Sequence, residues 1–122
     1  MNTQYSHQRN TYSFNVVKSD VNQHKTLQPS LLYAKMESAV LNSLTSLKEK
    51  NDLRQHVFKL DMFKNAKLKD RLKITHTVRK LSTSEILFSV EVFKENSPNN
   101  EIVCAATFGY TLKRKDAINL AS

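Results

Sequence analysis

Apolar residues along this chain recur first at every second position, then at helical spacing, then at every second position again. Tyr12, Phe14 and Val16 alternate with polar neighbours and predict a first strand running to about Lys18. A polar stretch from Ser19 to Lys25 turns the chain, and Pro29 stands where a helix can begin, because the first helical position needs no N–H. Leu32, Met36, Ala39, Val40, Leu44 and Leu47 then keep a helical period, with no Gly or Pro between Ser30 and Lys50. The pattern predicts one helix, about 30 Å long over that stretch. Leu31, Tyr33 and Leu41 widen its apolar face, so a wrapping partner is expected, and a curved sheet is the natural one.

After Asn51-Asp52 the period returns to two. His56 to Asp61 reads as a short strand. Asp70 to Lys80 alternates, with Leu72, Ile74, His76 and Val78 on one face; Leu81-Ser82-Thr83 turns the chain. Ser84 to Lys94 alternates again through Ile86, Phe88, Val90 and Val92. Glu95 to Asn100, with Pro98, is a strong turn signal, and Ile102 to Leu112 forms a long last strand. One strand, one long helix and four strands on short turns favour an antiparallel sheet with its single apolar face covered by the helix. The expected class is α+β, about five strands around a central helix, in a single domain over residues 1–122. Residues 1–10 read as a loose arm, and 114–122 as a short unassigned tail.

Composition narrows the function classes. One Cys, Cys104, allows neither an internal disulfide nor a cysteine-based zinc site, and it reads as a buried strand residue. No apolar run approaches a membrane span, and Met1 to Tyr12 has no signal-peptide core, so no membrane partner and a cytoplasmic location are expected. The four His show no metal spacing; no metal and no resident cofactor are expected. His76, on an apolar strand face, reads as a satisfied core histidine. Nineteen Lys+Arg against eleven Asp+Glu give a net charge of +8, a surface that attracts anions. Nucleic acid is disfavoured as the partner, because no basic motif interleaved with aromatics and no recognition-helix pattern accompanies the charge.

The candidate chemistry lies before and on the helix. The run from Asp20-Val21-Asn22-Gln23-His24-Lys25-Thr26-Leu27 through Leu32 to Met36-Glu37 resembles the signature of hotdog-fold acyl-CoA thioesterases. Those enzymes carry an Asp-x-Asn loop, a His-Gly-Thr-Leu-Phe-Gly-Gly turn, then Leu-Leu and Met-Asp or Met-Glu on the central helix. Asn22, His24, Thr26, Leu27, Leu32, Met36 and Glu37 match it without a gap. The loop also echoes plant acyl-carrier-protein thioesterases. Phe63 to Asp70 is similar to the family's Phe-x-x-Pro-Val-x-x-Gly-Asp stretch, and Ser84 to the serine opening its next strand.

The resemblance implies a hotdog domain that hydrolyses acyl thioesters, with coenzyme A thioester as substrate or ligand. Asn22 and Glu37 would be the catalytic pair, meeting across a homodimer interface or within a higher homo-oligomer, and His24, Thr26, Ser30, Leu31, Ser82, Thr83 and Ser84 would contact substrate. The chemistry suits these residue types. A carboxylate can take a proton from water, a carboxamide can orient water without titrating, and a helix start offers N–H donors to an oxyanion. On spacing, Glu37 falls about one and a half turns into the helix. Each residue also has a plainer role: Asp20 and Asn22 as turn or cap residues, Glu37 as a solvated helix residue, His24 as a surface histidine.

The chain departs from the family where Lys25, Pro29 and Ser30 replace three loop glycines, and where Ser82 replaces an arginine that helps hold the nucleotide of coenzyme A. Pro29 has no N–H, so an oxyanion donor would come from Ser30 or Leu31. These changes keep a non-catalytic acyl-CoA-binding or structural hotdog open as the alternative. The eight Lys and Arg between Lys59 and Lys80 suit either coenzyme A phosphates or a solvated sheet edge.

Overall fold

A computed structural model of the protein describes residues 9–115. The strands are β1 (Arg9–Asn15), β2 (Asn51–Met62), β3 (Arg71–Leu81), β4 (Glu85–Lys94) and β5 (Ile102–Arg114). Helices α1 (Pro29–Asn42) and α2 (Thr45–Lys50) lie between β1 and β2, and a 3-10 turn covers Lys18–Asp20. The strands form one sheet in the order β1-β3-β4-β5-β2, antiparallel at every pairing. The class is α+β, with the curved five-stranded sheet that the pattern implied. Leu32, Met36, Val40 and Leu44 of the helical segment share one buried core with Leu72, Ile74, Ile86, Phe88, Val90, Val92 and Phe108 of the sheet.

The helix is shorter than its periodicity suggests. Ser43 N–H bonds Val40 O at 3.1 Å and Leu44 N–H bonds Leu41 O at 3.0 Å, a tighter i−3 pattern that ends α1. Ser43 Oγ also donates to Val40 O at 2.7 Å, and Thr45 Oγ1 to Asn42 O at 3.0 Å. These hydroxyls compete for the carbonyls that the next helical turn would use. Leu44 stays buried across the break, which is why the apolar period runs through it unbroken.

Strand bounds also move. β1 starts at Arg9, inside the expected arm, and ends at Asn15; β5 reaches Arg114, inside the expected tail. Residues 1–8 of that arm and 116–122 of that tail lie outside the described residues. β2 begins at Asn51, five residues before His56, because among the described residues it is an edge strand paired only to β5, with most side chains exposed and little alternation to read. The chain's one glycine, Gly109, lies beside the β2 bulge between Gln55 and Val57. A Cβ there would stand 2.5 Å from Leu87 Cδ2 and 3.0 Å from Val57 Cβ.

Only β3–β4 and β4–β5 are joined by short turns. The connection from β2 to β3, residues 63–70, crosses from one side of the sheet towards the other, past β5 and β4. Three strand spacings amount to roughly 14 Å, beyond a tight hairpin. This crossing passes beneath the loop that precedes α1.

His76 is in the core, 4% exposed and edge-on to Phe88 with ring centroids 5.8 Å apart. Among the described residues neither ring nitrogen has a hydrogen-bond partner, so the expectation of a satisfied histidine is corrected on that point. Burial lowers its pKa from the ordinary 6.5, so the folded state takes up this proton less readily than the unfolded chain. Stability is then full above pH 6.5 and falls as pH drops below it. Replacing His76 with Leu is expected to flatten that decline, read from urea midpoints at pH 7.5 and 5.5; an unchanged pH difference would contradict it.

Among the described residues no helix is long and apolar enough to cross a membrane, and no three His, Cys, Asp or Glu group as metal ligands. Cys104 is buried, its thiol pushed up to about 12 by desolvation, with its Sγ 3.9 Å from Met36 Sδ.

Candidate active site

The loop before α1 is built around the Asn22 side chain. Asn22 Oδ1 accepts from His24 N–H at 2.8 Å and Thr26 N–H at 3.2 Å, while the backbone closes the turn through Asn22 N–H to Thr26 O and Lys25 N–H to Asn22 O, each 2.9 Å. One edge of the carboxamide therefore shapes the loop, and its Nδ2 has no hydrogen-bond partner among the described residues. The crossing segment pins the loop from below: Leu27 N–H bonds Ala66 O at 2.8 Å, and Leu68 N–H bonds Lys25 O at 3.0 Å. A cavity of about 420 Å³ opens between them, lined by Asn22, His24, Thr26, Pro29, Met62 and Asn65 among others.

Lys25 occupies the first glycine position of the family pattern and keeps the backbone a glycine would take, at φ 63°. An L side chain there costs about 1 kcal/mol or more. Lys25→Gly is expected to stabilise the protein by roughly 0.5–1 kcal/mol in denaturant titration, the gain reduced by glycine's unfolded-state entropy. A destabilised variant would contradict the strain.

At the helix start, Pro29 takes the first helical position and Gln28 the cap, without a side-chain cap bond. Leu31 N–H and Leu32 N–H both donate to Gln28 O, at 3.0 and 3.1 Å. Leu31 is therefore removed as an oxyanion donor. Its side chain lines a separate groove with Tyr12, Ala34 and Lys35. Ser30, exposed, retains the first-turn N–H without an acceptor among the described residues.

Glu37 lies eight residues beyond Pro29, just over two turns into α1 rather than one and a half. It is half-buried and accepts a hydrogen bond from Tyr33 Oη at 3.1 Å; the same hydroxyl stands 3.4 Å from Gln55 Oε1 on β2. Beneath lies an aromatic floor. Tyr33 meets Phe58 edge-on at 4.8 Å and stacks on Phe108 at 5.8 Å. Tyr110 is buried with its hydroxyl unpartnered among the described residues, its pKa pushed up to about 12 by burial first, then by the Glu37 charge and Tyr33. Glu37 does not line the Asn22 cavity.

Ser82 and Thr83 line a third cavity of about 360 Å³ with Asn51, Leu81 and Arg114. Ser82 Oγ accepts from Ser84 N–H and Glu85 N–H, each 3.2 Å, and so closes the β3–β4 turn. This turn and the Asn22 loop sit at opposite ends of the 11-residue β3, roughly 30 Å apart along the strand. Of the basic run, Lys64 pairs with Glu101, Arg71 with Glu95 and Lys80 with Glu85.

No protein-family model and no curated protein matches the sequence. Solved structures do match. A 1,4-dihydroxy-2-naphthoyl-CoA thioesterase from Synechocystis aligns with TM-score 0.73 and 16% identity, over 88% of this chain and 84% of its own. A hypothetical thioesterase with coenzyme A from Streptococcus pneumoniae gives 0.72 and 18%, over 87% and 79%. An acyl-CoA hydrolase variant from Staphylococcus aureus gives 0.77 and 16%, over 92% and 70%. The chain has the hotdog fold.

On this hotdog domain, a single chain keeps the predicted residues in three places: Asn22, His24 and Thr26 at the loop cavity, Glu37 beside β2, and Ser82 to Ser84 at the far turn. Tyr33, Gln55 and Tyr110 around Glu37, and Met62 and Asn65 in the cavity, escaped the sequence reading. Tyr33 had a usable signal, since residues four apart on a helix meet. Gln55 had none, because its segment did not read as strand.

Proposed function

We propose that the protein hydrolyses acyl-CoA-type thioesters at composite sites in a homodimer, without a metal or resident cofactor. The observation that carries this is the Glu37 carboxylate, held half-buried on the central helix at the open β2 edge. β2 is long, pairs on one side only among the described residues, and exposes Phe58 (43%) and Met62 (45%), with Phe63 (56%) following it. Such an edge calls for a partner strand. Antiparallel pairing of two copies of β2 would bring the Met62 end of one to the Asn51–Gln55 half of the other. The Asn22 cavity of one protomer would then face Glu37 and the Ser82–Thr83 cavity of its partner.

In this arrangement Asn22 Nδ2 orients the water or thioester, and Glu37 takes a proton from water as it attacks the carbonyl carbon. Ser30 N–H is the remaining first-turn donor for the oxyanion. The tetrahedral species expels the thiolate, which takes from Glu37 the proton that came from water, giving a carboxylic acid and free coenzyme A. His24 and Thr26 line the acyl-side cavity, and Ser82, Thr83 and Ser84 take the nucleotide end. Coenzyme A accompanies the similar Streptococcus pneumoniae protein, which favours the same ligand class here.

The test is a hydrolysis screen over acyl-CoAs of graded chain length, with thermal shift against free coenzyme A. Turnover is expected. Stabilisation without turnover would replace the hydrolase by a non-catalytic acyl-CoA-binding protein, and neither response would remove both.

A further inference from the structure

We infer that Tyr33 is the positioning residue of the Glu37 carboxylate, fixing which of its oxygens meets the attacking water. This rests on Glu37 being the base of the proposed reaction. A glutamate has three side-chain torsions, and at a partly open edge nothing in its own chemistry selects one orientation. Tyr33, one helical turn earlier, supplies the selection through its 3.1 Å hydrogen bond to Oε2. That leaves Oε1 as the oxygen available to water.

The phenol is itself a fixed point. Its ring is held edge-on by Phe58 and flat against Phe108, so the hydroxyl has little freedom except rotation about its C–O bond. A phenol carries one proton, and a charged carboxylate takes it in preference to an amide oxygen. The Gln55 amide, turned about its last torsion to present its NH₂, then donates to the phenol oxygen across the 3.4 Å separation. The chain Gln55 to Tyr33 to Glu37 thereby ties the helix carboxylate to the edge strand. Burial raises the Tyr33 pKa, which keeps the hydroxyl protonated and donating at neutral pH.

The experiment is a double-mutant cycle on acyl-CoA hydrolysis with the full-length protein. Tyr33→Phe keeps the ring and removes only the donor. It is expected to lower kcat about tenfold, the scale of a hydrogen bond to a charged group, with KM changed less than about twofold. In a Glu37→Gln background the same change is expected to have no further effect, since Tyr33 acts through the carboxylate. Gln55→Leu, which leaves the Tyr33 ring untouched, is expected to lower kcat about threefold, and to do nothing once Tyr33 is Phe. Full kcat in Tyr33→Phe would overturn the proposal, and so would an equal loss in both backgrounds, which would mark a merely structural role. Full activity in Glu37→Gln alone would instead overturn the assignment of the base beneath it.

Discussion

Replacing Glu37 with Gln is expected to lower acyl-CoA turnover by about a hundredfold or more while leaving the fold intact, the usual scale for removing a general base. Gln has nearly the shape of Glu, and its amide oxygen can still accept from Tyr33, so orientation and packing at the centre of α1 survive. The proton acceptor does not. Loss should therefore fall on kcat and kcat/KM alike, because the missing interaction belongs to the transition state. Steady-state kinetics beside a thermal melt reads both arms, and an unfolded variant would be excluded by the melt. A folded Glu37→Gln protein with the parental rate would remove Glu37 from the chemistry.

The largest effect on stability is expected at Phe108. This ring is fully buried on β5 and stacks beneath Tyr33 at 5.8 Å and beside Phe58 at 5.1 Å. Phe108→Ala removes a large side chain from a close-packed site whose neighbours, anchored on a helix and an edge strand, cannot all collapse into the gap. Such truncations cost about 3–5 kcal/mol. For a domain of this size that amounts to a fall in Tm of roughly 10–20 °C, compared at fixed protein concentration because the Tm of the proposed dimer depends on it. A cost below about 1 kcal/mol would mean the aromatic floor beneath Glu37 is not packed as described.

How much of this was legible in the sequence depended on burial. The interior strands β3, β4 and β5 announced themselves, because one face of each enters the core and alternates with the other. α1 was legible for the same reason. The break at Ser43 was not, since hydroxyl competition for carbonyls leaves the apolar period untouched. β2 was half-missed because an edge strand exposed on most positions has no face to mark. The β2–β3 crossing was misread as a turn for a related reason: length and polarity resemble a loop, and only the sheet order reveals its span.

The site divides in the same way. Asn22 and Glu37 stood out through a pattern of residue types, yet the part of Asn22 as loop scaffold through Oδ1, with Nδ2 left unpartnered among the described residues, needed coordinates. Tyr33 was counted as part of the apolar face, although its spacing to Glu37 already allowed contact. Lys25 was legible only as a missing glycine. The structure adds that the left-handed turn persists without it, so this departure alone does not dismantle the loop.

The proposed composite hydrolytic site is tested most directly by subunit mixing. Asn22→Asp keeps the oxygen that caps the loop and removes the Nδ2 donors; Glu37→Gln removes the base. Each variant alone should be strongly impaired. Refolded together in equal amounts, random pairing makes half the dimers mixed, each with one site built from the intact Asn22 of one chain and the intact Glu37 of the other. The mixture is then expected to recover about a quarter of the wild-type acyl-CoA hydrolysis rate. A mixture no more active than the average of the two variants would contradict a site shared between protomers.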